Sequence, residues 1–313
     1  VFENLQPALI LVGTSENKKS LAFELVKEAR KKSIPSIAAV DMAVNAEARF
    51  KGESNDPFAH ITDWLVVPDQ ATRRAFLALK FPDERIFVTG NPHYDFVIAR
   101  AKELSQVNRK TIRQKFFPEL NPDSNKLVVA FLCQPISVLV DGLLERSSDY
   151  TLQGWKTSTK RTDIVLEEII DALQNVRENL HFGVRLHPKN KMEEFDKYRD
   201  NLDFISQGND SLEFVYGCDL LIGMSTMLLF ESALMNKHTI SVLPRPSEIS
   251  WIPEGLDQSL PVACTRPELE QKLKAVLESL NQSKSSAVNV DYKPGALTRL
   301  SEFIKGKTAD LAN

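Results

Sequence analysis

Glycine is scarce in this chain, with 12 among 313 residues, below the ~7% usual in globular proteins. Neither a Gly-x-Gly-x-x-Gly string nor a Walker A loop occurs. Dinucleotide and P-loop chemistry therefore lack the close-approach turns that they need. Any phosphate falls instead to a helix N-terminus, to hydroxyls and to arginine. Cysteine is scarce too. Cys133, Cys218 and Cys264 are far apart, odd in number and without a Cys-x-x-Cys, which supports neither a zinc site nor a disulfide framework. Cys133 and Cys218 sit in or beside apolar strands, where a reduced core thiol is expected. No apolar run approaches the ~20 residues of a membrane helix. There is no signal-peptide pattern either, so a reducing cytoplasm is the expected compartment.

Charge of one sign is also missing. The net charge is -3, with 42% apolar and 26% charged residues. That is an ordinary globular composition without the basic footprint of a nucleic-acid binder. The local basic stretches Arg109-Lys110 and Lys156 to Arg161 are interrupted and carry no interleaved aromatics, so each reads as a solvated face.

What is present is a strand–helix rhythm. Apolar runs at Ala8 to Val12, Ser36 to Val40, Trp64 to Val67 and Ile86 to Thr89 predict strands. Helices are expected over Asn17 to Lys32 and Asp69 to Leu79. Alternation of this kind means βαβ units and a parallel sheet. A long charged helix is expected from Phe96 to Phe117. The run Pro118 to Asn125 is the strongest linker signal. A second block opens at Lys126 to Leu132, with further strands near 182–187, 202–205, 219–223, 239–243 and 261–263. Its helices are expected near 163–178, 211–216, 226–236, 267–280 and 296–305.

The expected fold class is α/β, with two Rossmann-like domains and a cleft between them. Residues 1–95 form the first domain, 96–125 an interdomain helix and linker, and 126–313 the second domain, with the crossing-back of the last helix (Ala296 to Ile304) left open. The first block is short, with about four strands against the about six of a Rossmann-like fold. It is therefore expected to lack one or two βα units before Val1.

Two segments place polar groups just past the carboxyl end of a strand, where ligands bind in open α/β sheets. The first is Arg185-Leu186-His187-Pro188. Arg185 and His187 share one face; the arginine suits a diphosphate, and His187 can donate to it or act as an acid. The plainer reading has His187 bonding a loop carbonyl. The second is Gly223-Met-Ser225-Thr226, opening the helix that carries Glu231. One of its hydroxyls caps the helix, and the N–H groups beside it face an anion. Glu231 has Met227, Leu228, Leu234 and Met235 as helical neighbours. A carboxylate on so apolar a flank needs a partner, the plainer reading being a glutamate at the rim of a buried stripe that reaches water. A nucleophile elbow fails here, because position 227 is Met and no histidine follows His238.

Arg185-x-His187-Pro188, Ser225-Thr226 and Glu231 together resemble the nucleotide half of GT-B glycosyltransferases and of their relatives, the non-hydrolysing UDP-N-acetylglucosamine 2-epimerases. Val88-Thr89-Gly90-Asn91…Asp95 is similar to the string closing the first domain of the epimerases. The resemblance spans roughly residues 7 to 280 as spaced motifs. It implies that Arg185, Ser225, Thr226 and Glu231 bind the nucleotide, with Glu231 on the ribose hydroxyls. It implies that the acidic residue Asp41 is catalytic, as general base, with His187 the other catalytic candidate; a helix cap is the plain alternative for Asp41. Ser15 and Asn91 would line the cleft, with the first domain on the acceptor side; the plain alternative for Ser15 is a helix cap.

No cofactor is implied beyond the nucleotide sugar, and no metal, since Asp-x-Asp is missing. The implied partners are a nucleotide-sugar donor and an unknown glycan or lipid acceptor, with no nucleic acid and no transmembrane segment. Departures weigh against epimerisation. Cys133-Gln-Pro-Ile-Ser137 stands where the epimerases have His-Arg-Arg-Glu-Asn, and Ser225-Thr226-Met227 replaces their Ser-Gly-Gly. Glycosyl transfer is thus the main expectation. Epimerisation or hydrolysis of a UDP-sugar is the alternative, and a non-catalytic nucleotide-binding or scaffolding protein the second alternative.

Overall fold

The computed structural model describes residues 5–14, 16–134, 145–208, 210–253, 259–282 and 292–310. The chain divides into two compact units, Val1–Asp95 with Lys293–Asn313, and Phe96–Tyr292. Each has its own parallel sheet and its own buried core.

The first unit carries β1 (Ile10–Gly13), α1 (Leu21–Lys31), β2 (Ser36–Ala39), β3 (Trp64–Val67), α2 (Gln70–Ala78) and β4 (Ile86–Val88). Its four strands pair in sequential order, all parallel. Helix α1 starts later than the apolar spacing predicts. Ser20 is held extended and its hydroxyl accepts the Ala22 N–H, which makes it the cap. Asp69 caps α2 in the same way, accepting the Thr72 N–H at 2.7 Å.

Helix α3 (Pro92–Leu104) follows, and α4 (Arg109–Phe116) is separate from it. The single helix expected over 96–117 is therefore two. Asn108 stops the first register by capping the second, its side chain accepting the Lys110 N–H. The segment expected to extend the second domain to residue 313 also behaves differently. The last helix, α9 (Ala296–Asp310), groups with the first unit. Asp95 accepts the N–H groups of Gly295 and Leu297 at 3.0 and 2.9 Å, and Arg299 donates to the Thr89 carbonyl. Gly90, at φ +84°, lets Ala296 approach to where a Cβ would sit 2.9 Å away.

The second unit runs β5 (Leu127–Leu132), α5 (Arg161–Leu173), β6 (Leu180–Arg185), β7 (Phe204–Ser206), α6 (Ser211–Gly217), β8 (Leu220–Gly223), α7 (Met227–Leu234), β9 (His238–Val242), β10 (Val262–Ala263) and α8 (Arg266–Asn281). Its six parallel strands lie in the order β10-β9-β8-β5-β6-β7. The chain thus builds outward from β5 to β7, returns, and builds the other way from β8. Strand order reverses between β5 and β8, the switch point where a crevice opens in doubly wound sheets. Register makes the strand ends level, since Leu132 pairs with both Arg185 and Gly223.

Two features lock this sheet. Gly183 lies in β6 where any Cβ would meet the Phe204 carbonyl oxygen at 2.2 Å, so only glycine permits β7 to close. At the amino edge of β8, Asp219 accepts the Val128 N–H at 2.7 Å and pairs with Arg109 and Arg113 of α4. Arg109 also donates to the Tyr216 and Cys218 carbonyls. It is thus not the solvated charge expected of it, although Lys110 is, pairing with exposed Asp123. Removing one partner of a buried pair costs ~3–5 kcal/mol. Because both arginines are partly exposed, Asp219→Ala should lower unfolding free energy by about 3 kcal/mol, read from the midpoint of a urea titration.

Candidate functional site

A cavity of about 460 Å³ opens at the carboxyl edge of the second sheet, over the switch point. Its wall brings together three strand ends: Leu132-Cys133-Gln134 after β5, Arg185 to Pro188 after β6, and Ser225 to Leu228 with Glu231 on α7. Gly208 and Ser211 close the far side. All five sequence-predicted residues of the second block (Arg185, His187, Ser225, Thr226 and Glu231) line it.

The two hydroxyls divide their work. Thr226 is the helix cap, its Oγ1 accepting the Leu228 N–H at 3.2 Å. Ser225 Oγ instead accepts from Gln134 Nε2 at 3.2 Å. Within the first turn of α7 the Leu229 N–H donates to the Thr226 carbonyl at 3.0 Å, and the amino end of the helix, with Met227 and Leu228, lies on the same cavity wall. Gly223 keeps this turn tight, because a Cβ there would lie 3.2 Å from Thr226 Cγ2. Glu231 stands one turn along, half-buried on the cavity wall.

Arg185 is 5% exposed. Its guanidinium donates to Ser206 Oγ at 2.8 Å and to the Gly208 carbonyl, and lies over the Phe214 ring. These bonds tie β6 to β7 and to the Gly208 loop. The arginine expected to meet a diphosphate thus lines the cavity while its guanidinium also braces the framework. Burial lowers its pKa from the ordinary value.

Among the described residues the His187 side chain bonds no loop carbonyl. Its Nδ1 accepts the Lys189 N–H at 3.1 Å, while its own backbone N–H donates to Asn190 Oδ1. An accepting Nδ1 assigns the ring proton to Nε2, which makes neutral His187 a donor. Burial, and then the charge of Lys189, hold the imidazole below its ordinary 6.5.

Sequence reasoning missed the support behind the cavity. Arg161, in a stretch read as solvated, is 1% exposed, and its partner Glu248 is fully buried. Arg161 Nε lies 2.9 Å from Glu248 Oε2, and its Nη1 donates to Gln134 Oε1. Trp251 stacks on the guanidinium at 5.4 Å. Arg245 adds a second bond to Glu248 at 2.9 Å. A signal existed in the sequence, since Arg161 opens an apolar helix, but its partner lies 87 positions away.

The first-block candidates lie in the other unit. Asp41 is mostly exposed, with Oδ1 2.6 Å from Arg49 Nη1, and it does not cap a helix. Asn91 Oδ1 accepts the His93 N–H at 3.0 Å, shaping the entry to α3. Ser15 lies outside the described residues. Among the described residues no cluster of three His, Cys, Asp or Glu side chains could hold a metal ion. No helix among them is long and apolar enough to cross a membrane. The three cysteines are buried and unpaired, and burial pushes the Cys218 thiol up to about 12.

A depressed histidine has a definite linkage sign. The folded chain binds the His187 proton less readily than the unfolded chain, so its contribution to stability is complete above about 6.5 and is lost as pH falls toward the folded value. The His187 resonance should therefore titrate with a midpoint below 6.5 in an NMR titration. His187→Asn, which can still accept the Lys189 N–H without titrating, should flatten part of the stability loss between pH 7 and 5.

No protein-family model matches the sequence, and no curated protein does. Solved structures do. The UDP-GlcNAc 2-epimerase from Neisseria meningitidis bound to UDP-GlcNAc aligns over 97% of this chain and 77% of its own, at 15% identity and a TM-score of 0.59. The UDP-GlcNAc 2-epimerase from Methanocaldococcus jannaschii aligns over 97% and 79%, at 15% identity and a TM-score of 0.62. Anabaena HepE in complex with UDP and glucose aligns over 96% and 77%, at 11% identity and a TM-score of 0.57. With two parallel-sheet Rossmann-like domains that align along nearly its whole length, the chain has the GT-B-type fold of the UDP-GlcNAc 2-epimerases.

Proposed function

We propose that this protein is an enzyme acting on a UDP-sugar, with the nucleotide held in the second unit and epimerase-type chemistry at the sugar. One observation carries the reading: the switch-point cavity gathers a helix N-terminus, the Ser225 and Thr226 hydroxyls and the Glu231 carboxylate around one space. The solved relatives that bind UDP-GlcNAc or UDP share the fold.

Each group has a chemical counterpart in a nucleotide sugar. A diphosphate offers only acceptor oxygens, which suit the amino end of α7, with its positive dipole end, and the two hydroxyls. Its charge is opposed by the helix dipole as the sugar–phosphate bond stretches, the kind of preorganised stabilisation that lowers barriers most. A ribose diol offers two donors, which suit the two oxygens of Glu231. His187, neutral with its proton on Nε2, donates to the same ligand or protonates a departing oxygen. Asp41 is the proposed base.

Glycosyl transfer is the second reading. What favours it is that the sequence after β5 reads Cys133-Gln-Pro-Ile-Ser137 and does not match the His-Arg-Arg-Glu-Asn that the resemblance to the epimerases would imply there. Epimerisation at C2 removes and returns the C2 proton, so incubation with UDP-GlcNAc in deuterated water should place deuterium there. Asp41→Asn should abolish the exchange while leaving UDP affinity unchanged. Consumption of donor only when an acceptor is added, without exchange, would move the assignment to transfer.

The ribose contact has its own measure. Glu231→Gln keeps size and loses the charge that strengthens two hydrogen bonds, worth ~1.5–3 kcal/mol when charge-assisted. By calorimetric titration the affinity for UDP should fall about ten- to a hundredfold. Unchanged affinity would remove Glu231 from the site.

A further inference from the structure

The donor arrangement around Gln134 goes further than the fold does. An amide oxygen and nitrogen look alike in outline, and the network around them must assign them. Here the assignment is forced. Arg161 carries only donors, and its Nη1 bonds Gln134 Oε1. The guanidinium cannot turn away, because its Nε and Nη2 are engaged by the fully buried Glu248 and its face is covered by Trp251. The Gln134 amide must therefore aim its NH₂ group at the cavity.

One of those two hydrogens goes to Ser225 Oγ. A hydroxyl that accepts from Gln134 keeps its own proton to give. Among the described residues neither that hydroxyl proton nor the second amide hydrogen has an acceptor. The chain of polarity runs one way, from Glu248 through Arg161 and Gln134 to Ser225, and it ends in two donors beside the N-terminus of α7.

We infer that Gln134 is a ligand-binding residue of this cavity, locked by the Arg161–Glu248 pair into the orientation that donates to a phosphate-type anion. Arg161 is its positioning residue. Such a subsite takes acceptor-only groups, so it selects the diphosphate part of a nucleotide and is indifferent to the nucleoside. This deepens the UDP-sugar reading and rests on it for the identity of the ligand.

The test compares UDP with uridine by calorimetric and NMR titration of the full chain. Gln134→Glu keeps an acceptor for Arg161 but turns the cavity-facing amide into a carboxylate oxygen, toward which the Ser225 hydroxyl then points. It should weaken UDP at least a hundredfold while leaving uridine within threefold. Gln134→Met, which removes the donors without adding charge, should weaken UDP about tenfold and leave uridine unchanged. Thermal unfolding checks that both variants are folded. Equal losses for UDP and uridine, or none for UDP, would overturn the inference.

Arg161→Lys supplies the positioning readout. A lysine ammonium cannot span Glu248 and Gln134 together, so the UDP-to-uridine affinity ratio should shrink. A lower melting temperature with the ratio intact would confine Arg161 to the fold and overturn its positioning role. If the wild-type chain binds neither UDP nor uridine, the UDP-sugar reading fails on its own. Inorganic pyrophosphate then probes the donor cradle: binding that Gln134→Glu abolishes supports the inference, and no binding by the wild type overturns it.

Discussion

Parallel pairing of β5 with both β6 and β8 is the constraint on which the rest depends. A parallel strand must leave and re-enter its sheet by a crossover, so every strand of the second unit ends at the same edge. Pairing Leu132 with Arg185 and with Gly223 brings three of those ends level. Everything that follows a strand end, whether Gln134, His187 or Ser225, is then delivered to one place. The reversal of strand order between β5 and β8 keeps crossover helices from covering it.

That edge is held by interactions at both ends of the sheet. At the amino edge Asp219 joins β5, β8 and α4 through a backbone N–H and two arginines. At the carboxyl edge two arginines share the buried Glu248. A buried ion pair is weak evidence for stability, since desolvation offsets much of its Coulomb energy. Its value here is directional. Arg161 fixes which way an amide faces, and the amide fixes what a serine hydroxyl can give.

The two arginines that sequence reasoning weighed differently both have framework partners in the structure. Arg185 sits on a strand end where ligand contact is expected, yet its donors serve Ser206 and the Gly208 carbonyl. Arg161 sits in a basic run where solvent is expected, yet it is buried behind the cavity. Arginine type and local spacing are the same kind of signal in both cases. What separates them is the identity of distant partners, Ser206 for one and Glu248 for the other.

From the residues alone came the α/β rhythm, the parallel sheets and the placement of Arg185, His187, Ser225, Thr226 and Glu231 at strand ends. These follow from local rules: period-two and period-3.6 apolar spacing, caps such as Asp69, and the run of strand into helix at Gly223. Local rules also explain the near misses. The helix expected over 96–117 breaks because Asn108 competes for backbone donors, and a single asparagine is a weak signal beside a long charged run. Tertiary structure decided the rest: which hydroxyl caps and which accepts, the neutral donor form of His187, the return of α9 to Asp95, and the entry of Gln134 into the cavity. Each of these depends on a partner far away in sequence, and hydrogen-bond direction is set by who the partner is. Sequence carries the periodicities that make elements, whereas only the folded chain brings Glu248 to Arg161 and so gives Gln134 a side to face.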